Sequence, residues 1–315
     1  MSQGNNIRWL IVSVIVIAFG FMLNDPYLAH LFALLCVYSI LAVSFRFIML
    51  CGEINLAHAS FFGIGAYTSA ALTIHFNVPF IVAFFVSGII AAIVSILFGA
   101  IAFRVKGHFF LLLSFAFAEV IRLFFQNAWT DVLGGVTGIA GITSPMGEFY
   151  GFIAIVTLLI LYTMYFLEKS KLGKILIAIR NSEDLSRSIG ISSMKYKVLS
   201  LVVASLLVGM SGSMFAHFNF VISPEDFTFH LSIIILSFVI IGGRDHFIGP
   251  VIGVVLLVLV AEYLRGFGSY EILAYGLAII LAMLFMPKGI AGTLQSLRLI
   301  KLKSSKSKSR EEAKV

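Results

Sequence analysis

The sequence predicts an all-α polytopic membrane protein with about ten transmembrane helices, and three observations point there. Apolar residues make up 60% of the 315-residue chain and charged residues only 12%, where globular domains hold roughly 45–50% and ~25%. Apolar runs of about 20 residues, the length that crosses ~30 Å of hydrocarbon, recur from end to end. Basic residues gather in alternate connections rather than evenly, as they do when one face of a membrane selects them.

The expected spans, in order, are Ile7–Leu23, Tyr27–Phe45, Leu56–Phe76, Phe80–Phe103, Phe109–Asn127, Gly151–Leu167, Tyr196–Phe218, Phe229–Ile241, Phe247–Leu264 and Tyr270–Met286. The first carries Arg8 near its start and no small-x-small pattern before Asn24-Asp25-Pro26, so it reads as an uncleaved span. An even number of spans with the N-terminus inside collects Arg46, Arg104, Lys106, the stretch Lys169–Lys197, Arg244, Lys288 and the tail on one face. Only Arg122 and Arg265 fall near the other, which assigns both termini to the cytoplasm. Three regions result: an N-terminal transmembrane helix (1–27), the main transmembrane domain (28–292) and a basic cytoplasmic tail (293–315). The tail has no apolar periodicity and suits anionic lipid. The net charge of +7 is therefore an orientation signal, not a nucleic-acid footprint. Cys36 and Cys51 form neither a disulfide framework nor a metal site.

Two segments are irregular. Cys51–Tyr67 carries Gly52, Gly63 and Gly65 and a Glu-x-Asn pair, Glu53 and Asn55, shortly before His58. Ile240–Gly253 carries four glycines and Pro250. Glycine-interrupted apolar segments in both halves of a membrane protein indicate an inverted internal repeat around a central pathway; close helix packing through small residues is the alternative and is compatible with it. Between Thr130 and Pro145 a Gly-rich connection, with Gly134, Gly135 and Gly138, faces outside and leaves backbone groups uncovered for a polar solute; an ordinary flexible connection is the alternative. Glu119 lies within the fifth expected span, three residues from Arg122 and so on one helical face with it; Glu262 and Arg265 repeat the spacing. The candidate pathway residues are Glu53, Asn55, His58, Gly63, Gly65, Glu119, Gly134, Gly135 and Gly138.

The stretch Lys169–Lys197 is the one charge-dense interruption, and up to Ser182 it reads as a loop. Ser182 is placed to cap a short surface helix whose first turn carries Glu183 and Asp184. Gly190 suits the left-handed position that ends it, and Ser193 is placed to cap the next span. Leu185 and Ile189 fall on one side of this helix and the charges on the other, as a docking element requires. Arg180, Glu183, Asp184, Leu185, Arg187 and Gly190 are its candidate coupling residues.

No phosphate-cradling GxxxxGK[ST] loop is present: Gly173-Lys174 lacks the upstream glycine and the following hydroxyl. An ion-coupled carrier calls for an unpaired intramembrane carboxylate, and Glu119 and Glu262 each have an arginine partner. Gly209-Met210-Ser211-Gly212 resembles the GxSG motif of rhomboid intramembrane proteases, a reading that requires a histidine at matching depth; small residues at a helix crossing explain the string without chemistry.

The strings GEINLAHASFFGIGAYTSAAL, SFAFAEVIRL with GGVTGI, AIRNSEDLSRSIGISSMKYKVLS and IIGGRDHFIGPVIG, in that order, resemble the LivM-type permeases, membrane subunits of ABC importers for branched-chain amino acids. The resemblance runs over about 28–292. It implies a short cytoplasmic coupling helix with an EAA-x-x-x-G pattern, matched here by Asp184-Leu185-Ser186-Arg187-Ser188-Ile189-Gly190; Gly190 agrees, Asp184 replaces Glu, and Leu185 and Ser186 replace the alanines. It further implies no cofactor on this chain, ATP and Mg used by two separate cytoplasmic ATPase subunits, a homologous second permease subunit, an extracytoplasmic solute-binding protein and a bacterial inner-membrane location. Sister families of the same architecture handle urea, short amides and sugars.

Overall fold

The computed structural model describes residues 25–105, 107–143 and 149–270, with scattered positions between 273 and 292. The first expected span, most of the tenth, and the tail lie outside the described residues. Two compact units divide at Ile235/Leu236.

In the first unit, α1 (Pro26–Met49) starts at Asp25, whose carboxylate accepts from the Tyr27 N–H at 2.9 Å, with Pro26 at the first helical position; both features belong at a helix N-terminus. There follow α2 (His58–His75), α3 (Phe80–Ala102), α4 (His108–Asn127), a single turn α5 (Thr130–Leu133), β1 (Ile139–Ala140), α6 (Phe149–Lys169), α7 (Lys171–Asn181), α8 (Glu183–Ser188), α9 (Ser193–Asn219), β2 (Val221–Ile222) and a 3₁₀ turn at Pro224–Phe227. Helices α1, α3, α4, α6 and α9 are long and apolar enough to cross a membrane. Helix α10 (Phe229–Gly242) runs from the first unit into the second, where α11 (Gly249–Leu264) follows. The protein is thus an all-α polytopic membrane protein, and eight of the expected spans coincide with helices.

Helix α2 is less apolar than its neighbours, and burial explains why. It is buried continuously from His58 to Tyr67 and needs no lipid-facing side chains. Small residues let the inner helices approach. A Cβ on Gly65 would sit 2.1 Å from the Gly209 carbonyl oxygen, and one on Gly212 as close to that of Phe62. The Ser87 hydroxyl of α3 donates to both the Phe84 and Gly209 carbonyls. Outward faces of α3 and α4 carry Phe85, Ile89, Ile93, Leu97, Phe109, Leu112 and Val120, all exposed to the bilayer's place. The GMSG string is therefore a crossing point; among the described residues the buried Ser211 hydroxyl has no hydrogen-bond partner, histidine included.

In the second unit, a Cβ on Gly253 would meet the Phe238 carbonyl at 2.0 Å, and one on Gly242 the Gly249 carbonyl at 2.0 Å. The glycines of Ile240–Gly253 thus seat α10 against α11.

Three sequence expectations are corrected. Residues 171–181 are helical, not loop: Leu172, Leu176 and Ile179 fall on one face, with Leu176 and Ile179 buried, a period masked by the interspersed lysines. The Gly-rich connection is folded through its described residues: β1 pairs antiparallel with β2, Ile139 opposite Ile222, and Cβ atoms on Gly134 and Gly138 would strike the Gly138 and Ile222 carbonyls. Ser193 does not cap α9; Ser192 occupies that position, and the Ser193 hydroxyl is buried unpaired.

Candidate functional site

The chain from Leu50 to Ala57 is non-helical yet largely buried inside the first unit. Its depth follows from His58, whose Nε2 lies 3.1 Å from the Leu41 carbonyl and 3.0 Å from the Ser44 hydroxyl. Leu41 and Ser44 precede the end of α1 by five to eight residues, so α2 starts about 10 Å inside that end at 1.5 Å per residue. Backbone without helical partners survives at such depth only where other groups satisfy it, and serines from two other helices do so. Leu56 N–H donates to the Ser114 hydroxyl of α4 at 3.1 Å. Ala59 N–H donates to the Ser232 hydroxyl of α10 at 3.0 Å, and that hydroxyl donates back to the Leu56 carbonyl at 2.7 Å. The Asn55 carboxamide oxygen accepts from Ala57 N–H.

Three polar atoms of this break stay without a hydrogen-bond partner: Asn55 Nδ2, His58 Nδ1 and the Ser60 hydroxyl. Since the Leu41 carbonyl can only accept, His58 carries its proton on Nε2 and presents Nδ1 as a bare acceptor. From the opposite end of the bundle, the turn Pro224–Phe227 reaches the same helix. A Cβ on Gly63 would lie 2.8 Å from Phe227, and Tyr67 stacks on Phe125 at 4.1 Å between ring centroids, with Phe227 edge-on to Tyr67. Irregular segments from both ends thus converge on the first three turns of α2.

At the end where α1 finishes, the break is tied to the charged stretch. Lys197 is only 4% exposed; its ammonium donates to Glu53 Oε1 at 2.9 Å and Glu183 Oε2 at 3.3 Å. Glu183 also accepts from Arg187 at 2.6 Å. Arg180 lays its aliphatic stem beside Gly52, with its Cγ 3.5 Å from where a Cβ would stand, and the φ of +92° there is one that glycine adopts without strain. Arg46, 3% exposed, makes a two-pronged pair with Glu168 at 2.6 and 3.0 Å. Helix α8 is capped by the Ser182 hydroxyl on Leu185 N–H and closed by Gly190 at φ +86°, with Ile191 N–H returning to the Ser186 carbonyl. Its outer side presents Leu185 at 65% and Ile189 at 70% exposure, while Ser186 faces in.

Sequence reasoning missed Lys197, Arg46 and Glu168, and no local pattern marks them, since each pairs with a residue more than a hundred positions away or across a break. Of the sequence candidates, Glu53, Asn55 and His58 come together, whereas Gly63 and Gly65 sit at packing contacts on α2. Glu119 pairs with Arg122, which also reaches Glu225 at 3.0 Å. Gly134, Gly135 and Gly138 lie in the β1 connection with positive φ. Near that end, His217 Nδ1 donates to the Thr143 carbonyl at 2.9 Å while Nε2 meets the Ser69 hydroxyl at 3.2 Å, itself 2.7 Å from Ser213. All three side chains are buried, a strut between α2, α9 and the connection.

The sequence profile of the family described as branched-chain amino acid transport system / permease component matches residues 27–286. The chain is 27% identical over 310 residues to the high-affinity branched-chain amino acid transport system permease protein LivM of Escherichia coli K12, covering 88% of this chain and 72% of that relative. It is 27% identical to the LivM protein of Salmonella typhimurium, covering 94% and 76%. It is 24% identical over 262 residues to the probable branched-chain amino acid transport permease protein LivH of Methanocaldococcus jannaschii, covering 76% and 82%. No solved structure matches.

Proposed function

The chain belongs to the family of permease components of branched-chain amino acid transport systems, and from that premise we propose how it works. It forms a translocation pathway for branched-chain amino acids in a bacterial inner membrane, moved by ATP that two separate cytoplasmic subunits hydrolyse. A second, homologous permease subunit completes the pathway and an extracytoplasmic binding protein delivers the solute. Ten spans, arranged as an inverted repeat, place both termini in the cytoplasm. The asymmetry of charge supports this orientation: Arg46, Arg104, Lys169, Arg180, Arg187 and Lys197 all lie toward the end where α1 finishes, and the described opposite end of the first unit carries Arg122 beside Glu119, Asp131, Glu225 and Asp226.

The observation that carries the coupling role is α8, a capped helix with Leu185 and Ile189 turned to solvent next to Asp184 and Arg187. An apolar pair exposed on a structured, charged element is what a soluble partner's cleft takes up. The solute path runs past the break at Glu53, Asn55 and His58. Its three unpartnered polar atoms lose about 1–3 kcal/mol each while buried and unpaired, a cost that a solute's polar head or water removes when the bundle opens. Gly63, Gly65, Glu119, Gly134, Gly135 and Gly138 act there by letting the elements around α2 close together.

The test is leucine uptake by the reconstituted importer with Leu185→Asp and Ile189→Asp together. Loss of ATPase subunits from the purified complex, with uptake down at least about tenfold, is expected. Retention of both would remove α8 from the docking role.

A further inference from the structure

Three contacts tie the charged stretch, together with Glu168 just before it, to residues 46–53. Glu168 grips Arg46; Arg180, in the middle of the stretch, lies beside Gly52; Lys197, at its close, holds Glu53. Two of these contacts are ion pairs taken almost wholly out of water. Such pairs are a poor route to stability, because well-packed apolar residues of similar volume do as well or better, while losing one partner is severe. Direction is what they supply: a short, buried, charge-assisted contact moves its two ends together. Lys197 reaches both sides, Glu183 on α8 and Glu53 at the break.

We propose that Lys197 is a positioning residue for coupling: it transmits displacement of α8 to the break at Glu53–His58, so that movement of the exposed helix re-aims Asn55 and His58 in the pathway. The inference rests on the permease reading above and adds the residue through which that reading works. In the relay, Arg187 holds Glu183, Glu183 and Glu53 share the Lys197 ammonium, and Glu53 leads in two residues to Asn55. Because Lys197 lies in the first turns of α9, the same displacement enters the longest of the described helices. Arg46 and Glu168 fix the far side of the lever, so that residues 46–53 move as one piece.

The experiment measures leucine imported per ATP hydrolysed in the full reconstituted importer. Lys197→Met combined with Glu53→Gln removes both buried charges and leaves neither orphaned; Glu183→Gln weakens the outer leg, its contacts with Lys197 and Arg187 together, and spares the buried Lys197–Glu53 pair. Both are expected to lower the import-to-hydrolysis ratio about tenfold, within the range of coupling between sites. A second readout uses Cys51, beside Gly52 and buried, in a Cys36→Ala background: its alkylation rate changes on adding nucleotide in the parent and ceases to respond in either variant. A merely structural role lowers uptake and hydrolysis together, so a ratio at the parent value, with Cys51 still responding, overturns the relay. If the parent importer shows no ATP-dependent uptake at all, the permease mechanism itself fails and the relay falls with it.

Discussion

Arg46 illustrates what burial does to a charge in this fold. Its guanidinium donates to both oxygens of Glu168, and the pair is largely withdrawn from water, with the Arg46 and Glu168 side chains 3% and 14% exposed. Arg46→Met is therefore expected to destabilise the protein by about 3–5 kcal/mol, the usual loss when one partner of a buried pair is removed. Arg46→Met with Glu168→Gln should recover most of it, because no charge is left stranded. Thermal unfolding of the detergent-purified protein separates the two; equal stability of single and double variants would mean the pair is effectively solvated. By contrast, the Glu262–Arg265 contact, with Arg265 exposed, has the character of a surface pair worth about 0–1 kcal/mol.

Among elements, the α2–α9 crossing decides whether the bundle closes. Gly65→Leu drives a side chain into the Gly209 backbone, which cannot retreat without separating the helices. Overpacking of this kind costs about 1–3 kcal/mol or more, and here we expect loss of the monodisperse peak in size-exclusion chromatography. Gly266→Ala, where nothing lies within 4 Å, should leave that peak unchanged. The elements most legible in the sequence were those set by local chemistry. The Ser182 cap, the acidic first turn and Gly190 located α8 without any tertiary information, and the apolar runs located the long spans. Helix α7 escaped because lysines interleave its buried face, and the ordering of Thr130–Ile142 escaped because β1 finds its partner some eighty residues away. The break before His58 was legible as irregular from Gly52, Glu53 and Asn55. What held it, namely Ser114, Ser232 and Lys197, was not, since a serine or lysine in a helix carries no mark of the distant backbone it satisfies.

At the scale of the molecule, polarity is sorted by depth and by side. In the first unit, apolar side chains cover α3, α4 and α6 outward, small residues line the crossings of α2, α3 and α9, and serines satisfy the buried non-helical backbone at the start of α2. Lys and Arg gather at the end that carries α8, where a soluble motor has access. This arrangement describes a conduit whose driving force arrives from outside the lipid. Liposomes containing the chain with its second permease subunit, the ATPase subunits and the binding protein, loaded with Mg-ATP on the ATPase side, test it directly by accumulation of radiolabelled leucine. Accumulation that requires ATP and every partner is the predicted result. Concentrative uptake by this chain alone, sustained by a proton or sodium gradient without nucleotide, would contradict it.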